Sequence, residues 1–270
     1  LFVIFWAGFI DRKFTTHNGY YHLKAVRGPG INHWIFETIR PFVGQNILEA
    51  GCGIGNLTES MLNKESLTCV DIDPLLVELI SRRFNHLENF TAVQQDIVEL
   101  DSTKEIIKVN PDTIICLNVL ELVKDDQRAL RNFFDLLEPG GNLILLVPQH
   151  KAMFSPLDER FGHRRRYEKA DLRKDLSALG FEVRILNDFN RLGLLGWLIY
   201  SKILRSSELP HQPMQLFNLF LPLVKQLDRL GFLPGISVLA VARKPIGDNQ
   251  ATAQIDGEQK RLRDSAMALR

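Results

Sequence analysis

Glu49, Gly51, Gly53 and Gly55 stand at alternate positions in "ILEAGCGIGN", and two aspartates follow at 71 and 73 in "VDIDP". Glycines so spaced let a chain leaving a strand turn tightly and bring its main-chain amides against a bound group, since no Cβ blocks the approach. A helix opening near Asn56 would aim its unpaired N–H groups at the same place. The stretch reads as a cradle for a nucleotide-like cofactor. A dinucleotide fingerprint needs a third glycine at the sixth position, where this chain has Asn56. The phosphate-binding loop with Gly-Lys-Ser/Thr is absent as well.

A second cluster lies in "LDERFGHRRRYEKADL", residues 157–172, where His163 precedes Arg164, Arg165 and Arg166. A histidine titrates near neutrality and suits proton transfer. Arginine forks grip a carboxylate or phosphate and equally order a loop. Ion pairs to Asp158, Glu159 or Asp171 that pin the loop are the plain alternative.

The elements that must carry these residues follow from periodicity. "NILEA", "LTCVD", "FTAVQ", "DTIICLN" and "NLILLVP" are short apolar runs and read as buried strands. Leu130, Phe133, Phe134 and Leu137 mark one helix face that ends at "EPGG". Leu172, Leu176 and Leu179 mark another, closed by Gly180, before the strands "FEVRIL" and "ISVLAVARK". Strand and helix in alternation imply an α/β fold, a parallel sheet with helices on both faces. In that fold Asp73, followed by Pro74, is a helix N-cap. Asp71, at the strand tip, is then the preferred of the two acids for a ribose diol, with Ile72 beside it in the cofactor site.

Thirty-three basic residues against 32 acidic leave a net charge of +1, which excludes the whole-protein field of a non-specific nucleic-acid binder. A DNA partner is not expected and an RNA partner is disfavoured. Cys52, Cys69 and Cys116 have no metal-ligand spacing; they read as reduced and buried, and no metal is expected. Reduced cysteines make a cytoplasmic chain the expectation, and the apolar start "LFVIFWAGFI", too short to span a bilayer and with no basic segment before it, reads as an N-terminal helix in preference to a signal or anchor.

The spacing E-x-G-x-G-x-G resembles the first motif of the class I S-adenosylmethionine-dependent methyltransferases, and later stretches extend the likeness. "QQDI" would place Asp96 on the adenine amino group and Ile97 against the ring. "CLNVLEL" would line the methionine end with Asn118 and Val119, and "LEPGGNLILLVP" resembles the family's fifth strand. The resemblance implies a doubly wound, seven-stranded, mostly parallel sheet, Rossmann-like, with the last strand antiparallel and S-adenosylmethionine as cofactor. Where many members read "VLEH" this chain reads "VLEL", so Leu122 removes a histidine while Glu121 is kept. Upstream, "GPGINHWIFETIRPF" resembles the leading helix; Trp34 and Phe36 read as packing, and His33 as a minor candidate for the site.

A subgroup of the family carries "P…D…GH.RRY…L" after the fifth strand, matched here by Pro148, Asp158, Gly162, His163, Arg165, Arg166 and Tyr167. That resemblance makes the stretch an acceptor-side lid. His163 is the candidate general base, His150 the second choice, and Arg165, Arg166 and Tyr167 would contact substrate. The domains expected are an extension (1–30), a methyltransferase core (31–188), an apolar helical insertion or cover (189–234), the last core strand (235–245) and a disordered tail (246–270). The apolar stretch 192–230 suggests a cover, a homodimer surface, or a seat for a lipid-linked acceptor with peripheral contact at the inner face of the membrane. The function expected is methyl transfer to a small or lipid-linked metabolite, at oxygen. An RNA or protein methyltransferase and a degenerate cofactor-binding docking module are the alternatives.

Overall fold

The computed structural model describes residues 30–103, 107, 109–198, 221–222, 224–226, 228, 231 and 233–247. The expected extension, most of the apolar insertion and nearly all of the tail lie outside the described residues.

Seven strands form one sheet: β1 (Asn46–Ala50), β2 (Ser66–Asp71), β3 (Phe90–Gln94), β4 (Thr113–Leu117), β5 (Asn142–Pro148), β6 (Glu182–Phe189) and β7 (Ser237–Arg243). Their order is β3-β2-β1-β4-β5-β7-β6. The first five pair in parallel, and β7 runs antiparallel to both β5 and β6. The sheet is thus the expected α/β, Rossmann-like, seven-stranded one.

Alternation along the strands builds two cores. Ile47, Leu67, Cys69, Ile115, Leu117, Ile144 and Leu146 face one side, with helix α1 (Ile31–Ile39) and helix α2 (Pro74–Phe84) over them. Leu48, Ala50, Val70, Ile114, Cys116, Leu143 and Leu145 face the other, covered by α3 (Asp126–Leu136) and, past the short α4 (Pro156–Arg160), by α5 (Lys169–Ala178). Burial on both faces is why these strands read as continuous apolar runs. The caps behave as their residue types demand. Asp73 accepts the Leu75 amide at 2.8 Å ahead of Pro74, and Asp125 accepts that of Arg128 at 3.0 Å.

The element after the glycine loop departs from expectation. In place of an α-helix near Asn56 there is a 3₁₀ turn, Thr58–Met61. The Thr58 hydroxyl donates to Glu49 at 2.5 Å, drawing the segment onto the end of β1. Asn89 takes up the Leu62 and Lys64 carbonyls where further helix would have run.

The order of strands reverses between β1 and β4. Ligands in open α/β sheets bind at the carboxyl ends of strands beside such a switch. The glycine loop leaves β1 and Asn118 leaves β4 at that point.

Candidate active site

A cleft of about 610 Å³, counting its open side, lies against the glycine loop and is lined by Glu49, Gly51, Gly53, Asn56 and Asn118, among others. Gly51 (φ 78°) and Gly53 (φ 56°) hold left-handed conformations. A Cβ on Gly51 would stand 2.2 Å from the Val119 side chain, so this glycine allows the two strand ends to approach. A Cβ on Gly53 would meet nothing within 4 Å, so there the backbone faces open cleft. Val119 therefore acts through Gly51, as a wall of the loop.

The loop is tied to β2. Asp71 accepts the Gly53 amide at 2.9 Å and the Asp73 amide at 3.1 Å, while Gly51 and Cys52 donate to the Val70 carbonyl. Burial raises the Asp71 carboxyl above its ordinary value against those amide bonds. Ile72, just past the end of β2, is 55% exposed. Glu49 is buried at the cleft wall, and burial lifts its carboxyl to about 7 although Thr58 and Cys69 donate to it. Asn56 and Asn118 each carry a buried Oδ1 with no hydrogen-bond partner among the described residues. Such orphaned acceptors in a cleft wall are complementary to a donor-bearing ligand. Asn118 also sits at φ 52°, a strained turn at the end of β4.

The structure places the remaining candidates as follows. Asp96 accepts the Val98 amide at 2.9 Å and so caps the following 3₁₀ turn. Ile97 is buried in the core under α3, since its side chain points into the sheet layer. His33 is exposed on α1; the residues of that helix lining the cleft are Asn32 and Ile35. Sequence reasoning missed both, because nothing local distinguishes a helix face over a cleft from one over a core. Asn56 did have a signal, its place directly after the third glycine. Trp34 packs, with its ring 4.4 Å from Phe189.

The lid stretch turns its charges inward. Asp158, wholly buried, accepts from the Ser155 amide (2.9 Å) and hydroxyl (3.0 Å), from Arg166 Nε (2.8 Å), and lies 3.0 Å from His163 Nδ1. Arg166 also donates to the Gln149 carbonyl and lies 4.4 Å over the Trp197 ring. Arg165 pairs with Asp126 at 2.6 Å and donates to the Val123 and Lys124 carbonyls. Tyr167 donates to Asp126 at 2.7 Å. These three were expected on substrate. Arg166 and Tyr167 are buried; Arg165 and Tyr167 bind the lid to the turn after β4, and Arg166 binds it to the main chain after β5. The expected ion pair to Asp158 exists. Leu122 lies 3.8 Å from where a Gly162 Cβ would stand, and its carbonyl accepts Arg164 Nε. His150 Nε2 is 2.9 Å from the Gly235 carbonyl, so the main chain engages that ring.

A parallel α/β sheet with a glycine loop at its switch point defines a nucleotide-cofactor enzyme fold. The methyltransferase-domain family matches residues 48–143, from the first strand through the start of the fifth. A malonyl-[acyl-carrier protein] O-methyltransferase of Haemophilus ducreyi is 27% identical over 248 residues, covering 89% of this chain and 84% of that protein. A ubiquinone biosynthesis O-methyltransferase of Xanthomonas euvesicatoria is 36% identical over 106 residues, 38% of this chain and 42% of that one. Thus the chain spans most of the first relative and under half of the second. Among solved structures, the N-methyltransferase NodS of Bradyrhizobium japonicum, in complex with S-adenosyl-L-homocysteine, shares the fold. Its TM-score is 0.51 at 16% identity, over 87% of this chain and 91% of that one. Residues 48–143 thus carry a methyltransferase domain, and the chain resembles the class I S-adenosylmethionine-dependent methyltransferases, with S-adenosylmethionine as the cofactor. The open face at Gly53 and the orphaned oxygens of Asn56 and Asn118 fit such a group.

Proposed function

We propose that this methyltransferase acts on an oxygen of a small or lipid-linked metabolite, with Glu49, the glycine loop, Asp71, Ile72 and Asn118 holding the cofactor. The observation that carries the reading is the 248-residue match to an O-methyltransferase, which runs well beyond the cofactor-binding half. The bound cofactor supplies an electrophilic methyl group on a sulfonium. The chain has then to align the acceptor and, for a hydroxyl, take its proton.

His163 is the base in this reading. Its loop follows β5 at the carboxyl edge of the sheet, and Asp158 fixes the ring through Nδ1. An apolar acceptor is consistent with α6 (Arg191–Trp197), where Leu195 is exposed and Leu198 follows it in the same condition. Among the described residues no helix is long and apolar enough to cross a membrane.

The test is transfer of labelled methyl from S-adenosylmethionine into cell extract separated into lipid, glycan, RNA and protein pools. Label in the lipid or small-molecule fraction is expected. Label confined to RNA or protein would overturn the acceptor class, and no label in any pool would point to a docking module. H163Q should bind S-adenosylhomocysteine normally and lose turnover about 100-fold or more.

A further inference from the structure

We propose that Glu121 and His163 take up the acceptor's proton as a pair and then hold it between them, with Glu121 the positioning residue that favours the protonated His163 ring. The proposal rests on the reading of His163 as base.

Glu121 lies in the 3₁₀ turn Leu120–Leu122, just past the end of β4, and is wholly buried. Neither of its carboxyl oxygens has a hydrogen-bond partner among the described residues. A buried carboxyl in that state needs a proton of its own or a cation close by. His163 Nε2 lies 3.9 Å from Oε1.

The remaining charged and titratable groups around Glu121 are Arg166, Asp158, Cys116 and Tyr167. Most of their capacity is spent elsewhere. Arg166 gives Nε to Asp158 and Nη1 to Gln149, while its buried Nη2 has no hydrogen-bond partner among the described residues, and the Tyr167 hydroxyl goes to Asp126. Asp158 accepts the Ser155 amide and hydroxyl together with Arg166 Nε. His163 Nδ1 lies 3.0 Å from Asp158, and Nε2 is the other ring nitrogen. That atom faces Glu121. Burial lifts the Glu121 carboxyl to about 7, into the range of an imidazole, and matched affinities are what let two groups share a proton.

The chemical consequence concerns the acceptor. A hydroxyl gives its proton to the pair, whose charge goes from −1 to zero. The oxygen forms its bond to the methyl carbon as the carbon–sulfur bond breaks, and sulfur keeps that electron pair. A lone imidazole would instead become a buried cation. A carboxylate acceptor is already ionised and needs no base, so the pair fits a neutral hydroxyl. The separation of 3.9 Å is long for proton transfer, but such contacts tighten when a site is filled.

The test is a pH titration by NMR of the full chain, without added ligand, carrying ¹⁵N-histidine and carboxyl-¹³C-glutamate. In the wild type the Glu121 carboxyl and the His163 ring should respond over one common pH range near neutrality, with the Nδ1–H tautomer retained. A Glu121 carboxyl titrating alone near its ordinary value of about 4.3 would overturn the proposal. E121Q should lower the His163 midpoint by about one pH unit, and E121D should restore most of it. An unchanged midpoint in a folded E121Q would also overturn it. If H163Q kept wild-type methyl transfer, the base reading would fall while the shared titration stood, so the two failures are distinguishable.

Discussion

Asp71 Oδ2 accepts the amide of Gly53 at 2.9 Å, joining the tip of the second strand to the middle of the glycine loop eighteen residues earlier. The side chain expected to read the cofactor ribose is therefore also the strut of the loop that cradles it. Its second oxygen holds the Asp73 amide at 3.1 Å, at the cap of α2. Loop, ribose edge and helix start are one mechanical unit.

D71A should accordingly weaken S-adenosylhomocysteine binding by roughly 10- to 100-fold in calorimetry, since two buried amides lose their acceptor. D71N should fall between, because its amide nitrogen cannot accept one of the two. Wild-type affinity in D71A would mean that neither the strut nor the ribose contact matters for binding.

How much of this was legible in the sequence depended on distance along the chain. The strands "NILEA" and "NLILLVP" coincide with β1 and β5 to the residue, because strands buried on both faces announce themselves as apolar runs. The Asp73–Pro74 cap and the glycine loop are equally local. The 3₁₀ turn at Thr58–Met61 was not legible, since it is set by the Thr58 bond to a carboxyl nine residues away. The lid shows the same limit more sharply. Its basic residues are plain in the sequence, but only the fold shows Asp158 collecting His163 and Arg166, and Asp126 collecting Arg165 and Tyr167.

Glu49 gives the chain a pH dependence whose sign is fixed. Folded, its carboxyl keeps its proton up to about 7, against an ordinary value of 4.5. The folded state thus binds more protons between those limits, and stability falls as pH rises through that window and levels off above it. Glu121, also held near 7, adds a fall of the same sign. Thermal unfolding should show the wild-type midpoint dropping from about pH 5 to about pH 8, by on the order of 3 kcal/mol at most for each carboxyl. E49Q keeps an oxygen to accept the Thr58 hydroxyl and should flatten the curve. Parallel curves for the two proteins would show that Glu49 titrates normally.

Arg165 and Arg166 are neighbours in sequence with opposite surroundings, and that contrast separates a lid-pinning role from a substrate-holding one. The Arg166 side chain is fully buried against Asp158, whereas that of Arg165 is 32% exposed. R166M leaves the buried Asp158 without its cation and should lower stability by about 3–5 kcal/mol in urea unfolding. R165A loses a partly exposed pair and should cost about 1 kcal/mol or less. S-adenosylhomocysteine affinity should be nearly unchanged in R165A, because its contacts are with the turn Val123–Asp126 and not with the cleft. A stable R166M that has lost only its turnover would instead place this arginine on the acceptor.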